Sequence, residues 1–116
     1  MTLQELRNVI DIDVDGSLVR FSNMEAMYLK YLKRFINEPT YETLLSAISA
    51  QDFASIETAA HTLKGICGNL GLNSLFNDFN AIVKAVREHN NELALQLCDE
   101  IAPKIAQTRE ALSQLD

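Results

Sequence analysis

Tryptophan is absent from this chain, and its 116 residues include only two cysteines, two histidines, two prolines and four glycines. Cys67 and Cys98 are far apart and sit among apolar residues, so buried reduced thiols are expected rather than a disulfide framework. The scarcity of glycine and proline, with 47% hydrophobic residues, argues against a disordered or fibrous chain. Basic residues are also few: 10 Lys+Arg stand against 16 Asp+Glu, for a formal net charge of −6. No basic cluster is available to neutralise phosphates, which argues against nucleic-acid binding and against attachment to anionic membranes. No apolar run approaches the roughly 20 residues of a membrane span, and no signal-peptide pattern opens the chain. A cytoplasmic protein without membrane insertion is therefore expected. The length suits one domain over residues 1–116. A start at Met1 and the lack of ragged linkers favour a free-standing protein, expected as a monomer.

No stretch alternates polar and apolar residues long enough to make a strand, whereas spacing of three and four recurs throughout. Residues 1–22 read as a helical extension, with Thr2 to Ile10 a short helix capped by Thr2. Asp11-Ile12-Asp13-Val14-Asp15-Gly16 imitates the opening of an EF-hand loop, but Ser22 stands where the bidentate Glu is required. Helix-capping aspartates before a helical Gly16–Phe21 are the better reading. A bundle follows over about residues 24–115. Its first helix is expected over Met24 to Ile36, capped by Asn23, with Met27, Tyr28, Tyr31, Leu32, Phe35 and Ile36 as its apolar stripe. Leu18, Phe21 and Met24 can either form an apolar border to a partner surface or join the core, and the core is the better reading.

Asn37-Glu38-Pro39 breaks that helix, and Thr40 to Ala50 forms the next with Leu44, Leu45 and Ile48 inward. Asp52 is placed to cap a further helix that Asn69-Leu70-Gly71 closes. Asn73 or Ser74 should cap the one after it, which buries Leu75, Phe76, Phe79, Ile82, Val83 and Val86. His89-Asn90-Asn91 makes a turn, and the last helix runs from Glu92 toward Leu115. Leu93, Leu97, Ile101, Ile105, Leu112 and Leu115 are in register there, and Pro103 is expected to kink or split it. The fold class is all-α: an antiparallel four-helix bundle with additional short helix at the N-terminus.

One helix carries two faces that disagree. At about 100° per residue, Ile56, Ala59, Leu63, Ile66, Cys67 and Leu70 form a broad apolar side. His61 points almost directly away from it, with Gly65 and Gly68 above it and Lys64 alongside. A glycine inside a helix costs about 1 kcal/mol relative to alanine, and an exposed face gives no packing reason to accept two. Bare positions above the imidazole leave it open to close approach by another molecule.

Ala60-His61-Thr62-Leu63-Lys64-Gly65, followed by Gly68-Asn69-Leu70-Gly71, resembles the phosphorylation-site motif of histidine-containing phosphotransfer (HPt) domains. The resemblance implies a phosphorelay intermediate. His61 would accept a phosphoryl group from a receiver-domain aspartyl phosphate and pass it to another receiver aspartate. The partners implied are response-regulator receiver domains and a hybrid sensor histidine kinase. Mg²⁺ would be supplied by the receiver, with no cofactor bound by this chain.

The residue chemistry suits that role. Imidazole is the one side chain largely neutral and nucleophilic near pH 7, and Nε2 is the favoured attacking nitrogen. Lys64, three residues on, can offset phosphoryl charge. Gly65 and Gly68 supply access, and Asn69 either bonds the phosphoryl group or ends the helix. Glu57, one turn before His61, is the nearest group that could set the tautomer, although a solvated helix residue is the simpler reading. No Walker-type loop, kinase signature or magnesium-binding acidic cluster is present, so the expected activity is that of a carrier more than a self-sufficient enzyme. A helical adaptor without chemistry is the rival reading, since fold does not imply function. A metal site built from His61, His89 and the cysteines is another; Cys67 on the core side and the distance of His89 count against it.

Overall fold

The computed structural model describes residues 1–116 and contains seven α-helices and no strand. They are α1 (Leu3–Leu6), α2 (Val14–Arg20), α3 (Glu25–Phe35), α4 (Pro39–Ala50), α5 (Phe53–Leu70), α6 (Asn73–Arg87) and α7 (Asn91–Ser113). Loops of two or three residues make α4, α5, α6 and α7 neighbours in chain order, each packed on the next. Arg109 of α7 closes the bundle onto α4, stacking over the Tyr41 ring and donating to the Glu38 carbonyl. No helix is long and apolar enough to cross a membrane. Cys67 and Cys98 are free, and burial pushes their thiols up to about 12 and about 11, so both stay protonated and inert.

Helix ends follow local chemistry where the side chain has a free amide to meet. Thr2 and Glu5 form a capping box on α1, Asp13 accepts from the Gly16 amide, and Asp52 accepts from the Ser55 amide. Pro39 occupies the first turn of α4, where its missing amide costs nothing, with Glu38 as the cap. Two expected caps are not used. Asn23 is left-handed at φ 59, which places it in the α2–α3 turn, and Met24 stands at the cap of α3 without a side-chain hydrogen bond. Neither Asn73 nor Ser74 caps α6, because the helix starts directly after the Gly71 turn with Leu72 at its cap.

The aspartates of the EF-hand-like stretch are used separately. Asp13 caps α2, and Asp15 pairs with Arg7 at 3.0 Å. Helix α1 ends at Leu6 instead of reaching Ile10, since the chain turns over residues 7–9 toward the Asp13 cap. Helix α7 is neither split nor interrupted by Pro103. Pro103 and Asp99, whose carbonyl loses its amide partner, are both exposed, so that carbonyl is not sealed away from solvent.

Five apolar assignments shift. Leu45 is 40% exposed and Leu93 38%, because Leu44–Ala47 and Ala94–Cys98 occupy the seams beside them. Met24 is 51% exposed and outside the core, whereas Leu18 and Phe21 pack partly against it. Met27 and Tyr31 lie on the outer side of α3, and Tyr28, Leu32 and Phe35 are its buried stripe.

The N-terminal helices hold the end of α5. The Asp13 amide donates to the Gly71 carbonyl, the Tyr28 hydroxyl to Leu70 at 2.7 Å, and the Arg20 guanidinium to Asn69. Three successive carbonyls that a helix terminus leaves unpaired are thereby satisfied. Burial raises the Tyr28 pKa, which keeps its hydroxyl a donor. Tyr28→Phe should therefore cost about 1–3 kcal/mol in urea unfolding, the penalty of leaving a buried carbonyl unpaired.

Candidate functional site

Helix α5 is built from the sequence outward. Asp52 starts it, and Ile56, Ala59, Ala60, Leu63, Cys67 and Leu70 are buried along one side. A Schellman closure ends it: the Leu72 amide donates to Cys67 and the Gly71 amide to Gly68. That register leaves His61 exposed in the middle of the helix, as the wheel requires, with Thr62 and Gly65 exposed beside it.

The two glycines above the imidazole differ. A Cβ added at Gly65 would meet nothing within 4 Å, so this position is open space on the His61 face. A Cβ at Gly68 would lie 3.1 Å from the Phe76 ring of α6, tighter than an ordinary contact. Gly68 therefore has a packing reason after all, contrary to the expectation that both glycines serve access alone. Its missing side chain lets α6 approach α5.

The polar residues nearest His61 are engaged with α6. Lys64 Nζ donates to Asn80 Oδ1 at 3.2 Å and lies over the Phe76 ring. Arg87 Nε donates to Glu57 Oε1 at 2.7 Å, so that carboxylate serves an interhelical ion pair and is not simply solvated. Thr62 donates back to the Thr58 carbonyl. Asn69 is exposed toward the opposite flank, where it lines a groove with Tyr31, Arg34, Phe35, Glu38, Ile66 and Leu70. Its carbonyl takes the Arg20 guanidinium.

His61, Gly65 and Lys64 thus share one surface, Glu57 and Gly68 form its α6 border, and Asn69 lies toward α3. His89 is in the α6–α7 turn, left-handed at φ 59, and Cys67 is buried. No group of three or more His, Cys, Asp or Glu side chains converges anywhere in the structure. Asn80, Arg87 and Phe76 were not singled out from the sequence. The antiparallel hairpin around Leu72 is the signal that finds them. Gly68 and Phe76 are each four residues from Leu72, Lys64 and Asn80 eight, and Glu57 and Arg87 fifteen.

The structure is thus an all-helical bundle that holds an exposed imidazole at mid-helix, with Lys64 one turn further on. The Hpt domain family model matches residues 35–116, and the chain belongs to the histidine-containing phosphotransfer family. Domains of this family serve histidine phosphotransfer in two-component relays and interact with receiver and kinase partners. Neither the curated proteins nor the solved structures compared with the chain gave a match. The matched region begins at the end of α3, so Arg20 and Tyr28, which hold the end of α5, lie outside it.

Proposed function

We propose that His61 is the phosphoacceptor of a relay between receiver domains, with a hybrid sensor histidine kinase among its partners. The observation that carries this reading is the exposed imidazole of a family member beneath the open space at Gly65. In the transfer step the Nε2 lone pair forms an N–P bond as the bond from phosphorus to the aspartyl oxygen breaks. The electron pair of that bond leaves with the carboxylate, and Nδ1 keeps its proton. The Mg²⁺ expected on the partner receiver offsets charge on the phosphoryl oxygens.

Such a transfer asks mainly for positioning and charge stabilisation. Lys64 supplies a cation three residues from His61, and the Asn80 amide holds that ammonium without neutralising it. Glu57 acts on the site indirectly, by fixing Arg87 at its border. Asn69 belongs to the docking surface, as does Gly68 through its contact with Phe76. Incubation with a phosphorylated receiver and Mg²⁺ tests the reading: the chain should acquire label that is labile in acid, stable in base and mapped to His61. Base-labile label, or label mapped elsewhere, would overturn it.

Gly65 gives a test of access alone. Gly65→Ala should raise stability by about 1 kcal/mol, since no neighbour resists the added methyl. Gly65→Leu should retain the fold yet slow transfer from a receiver on the order of tenfold to a hundredfold, by displacing the partner from the imidazole. Unaltered transfer in a folded Gly65→Leu variant would count against an open approach to His61.

A further inference from the structure

Lys84 is an exposed cation on α6 that no ion pair or hydrogen bond engages, on a face that the three contacts around Leu72 fix in register. From the Glu57–Arg87 pair, α5 steps four residues forward to His61, three to Lys64 and four to Gly68. From the same pair, α6 steps three residues back to Lys84, four to Asn80 and four to Phe76. Steps of three and four keep a residue on one face of a helix, so Lys84 occupies the α6 side of the level at which His61 stands. Val83 shares that level but is buried, which leaves Lys84 as the exposed α6 residue there. We propose that Lys84 is a second cation for the phosphoryl group on His61, reaching it from α6 while Lys64 reaches it from α5.

Charge favours this arrangement. The chain as a whole carries −6 and repels a phosphoryl dianion. Along the α5–α6 seam, Lys64, Lys84 and Arg87 stand against the carboxylates of Glu57 and Glu88, a local balance of +1. Lys64 is held toward Asn80, and Arg87 is partnered by Glu57, so Lys84 is the cation of the three with its ammonium uncommitted. A flexible four-carbon stem suits it to follow the phosphoryl group as the N–P bond forms. Lys84 contributes charge only; the bonds made and broken are those of the transfer step, and no proton moves through it.

The inference rests on His61 as phosphoacceptor, and the test separates the two. The full chain and its Lys84→Arg, Lys84→Gln and Lys84→Glu variants are phosphorylated with phosphoramidate, a small donor that needs no docking, and separately with a phosphorylated receiver. Initial rates are read at low and high salt, with thermal midpoints as the folding control. Arg should match wild type, Gln should be about two- to fivefold slower, and Glu slower still, with both donors. The differences should shrink at high salt, as exposed charge contacts do.

Equal rates across the series, with wild type labelled on His61, would overturn the role of Lys84 and leave the phosphoacceptor standing. A defect seen with the receiver but not with phosphoramidate would also overturn it, since that places Lys84 against the partner instead. Wild-type protein that takes no label on His61 from either donor would instead refute the reading beneath.

Discussion

His61→Gln is expected to remove all acid-labile label while leaving the thermal midpoint and helical content at wild-type values. The two halves of that outcome have separate causes. His61 is exposed at mid-helix; of its neighbours, Glu57 accepts from Arg87, while Lys64 and Thr62 donate to Asn80 and to the Thr58 carbonyl. Exchanging such a side chain for another helix-tolerant polar one changes stability by no more than about 0.5 kcal/mol. The chemistry, by contrast, has no substitute. An amide nitrogen shares its lone pair with the carbonyl and cannot attack phosphorus, so transfer should fall to background. Label persisting in His61→Gln would point to His89, the other histidine of the chain, and His89→Gln resolves that case. A loss of label accompanied by a large fall in midpoint would mean that His61 supports the fold, which its exposure contradicts.

The site was legible in the sequence to the extent that one helix reports on itself. Periodicity alone turned His61 outward, Asp52 marked the start of α5 and Gly71 its end, because a cap or a wheel involves residues within a turn or two. What the sequence hid are contacts between helices. Gly68 looks like Gly65 on a wheel, yet it lies under Phe76 and Gly65 lies under nothing. Glu57 reads as a solvated carboxylate until α6 brings Arg87 to 2.7 Å. Leu45 and Leu93 read as core because hydrophobicity does not say which apolar residue of a turn meets the seam; there Leu44 and Ala47, and Ala94 and Cys98, are the buried ones. Pro103 obeys its local rule and loses an amide, but solvent at Asp99 makes that loss tolerable without a break. The bonds from Arg20 and Tyr28 to α5 span 49 and 42 residues, beyond any local pattern.

Those bonds explain why the largest stability effect is expected at Gly71. It is buried, left-handed at φ 77, and closes α5 through its own amide while its carbonyl receives the Asp13 amide at 2.9 Å. A Cβ there would press on Ser17 Oγ and stand 2.6 Å from the Asp13 carbonyl oxygen. Gly71→Ala thus meets two penalties at once: about 1–2 kcal/mol for an L-residue in the left-handed region and about 1–3 for overpacking against backbone that cannot rotate away. A loss of about 2–5 kcal/mol in urea unfolding is expected. The two parts are separable. Asn tolerates the left-handed region better than Ala, so Gly71→Asn relieves the conformational share and retains the clash. Ser17→Ala removes one clashing atom but also the hydroxyl that donates to the Asp13 carbonyl and accepts from Arg20, so it should cost less in the Gly71→Ala background than in wild type. If Gly71→Ala unfolds within about 0.5 kcal/mol of wild type, α2 is not seated on the end of α5 as described. Because Asn69 receives Arg20 from the same helix, unseating α2 should also loosen the Asn69 end of the face that His61 occupies. Its signature would be faster amide exchange at the last turn of α5, with residues 56–63 protected as in wild type.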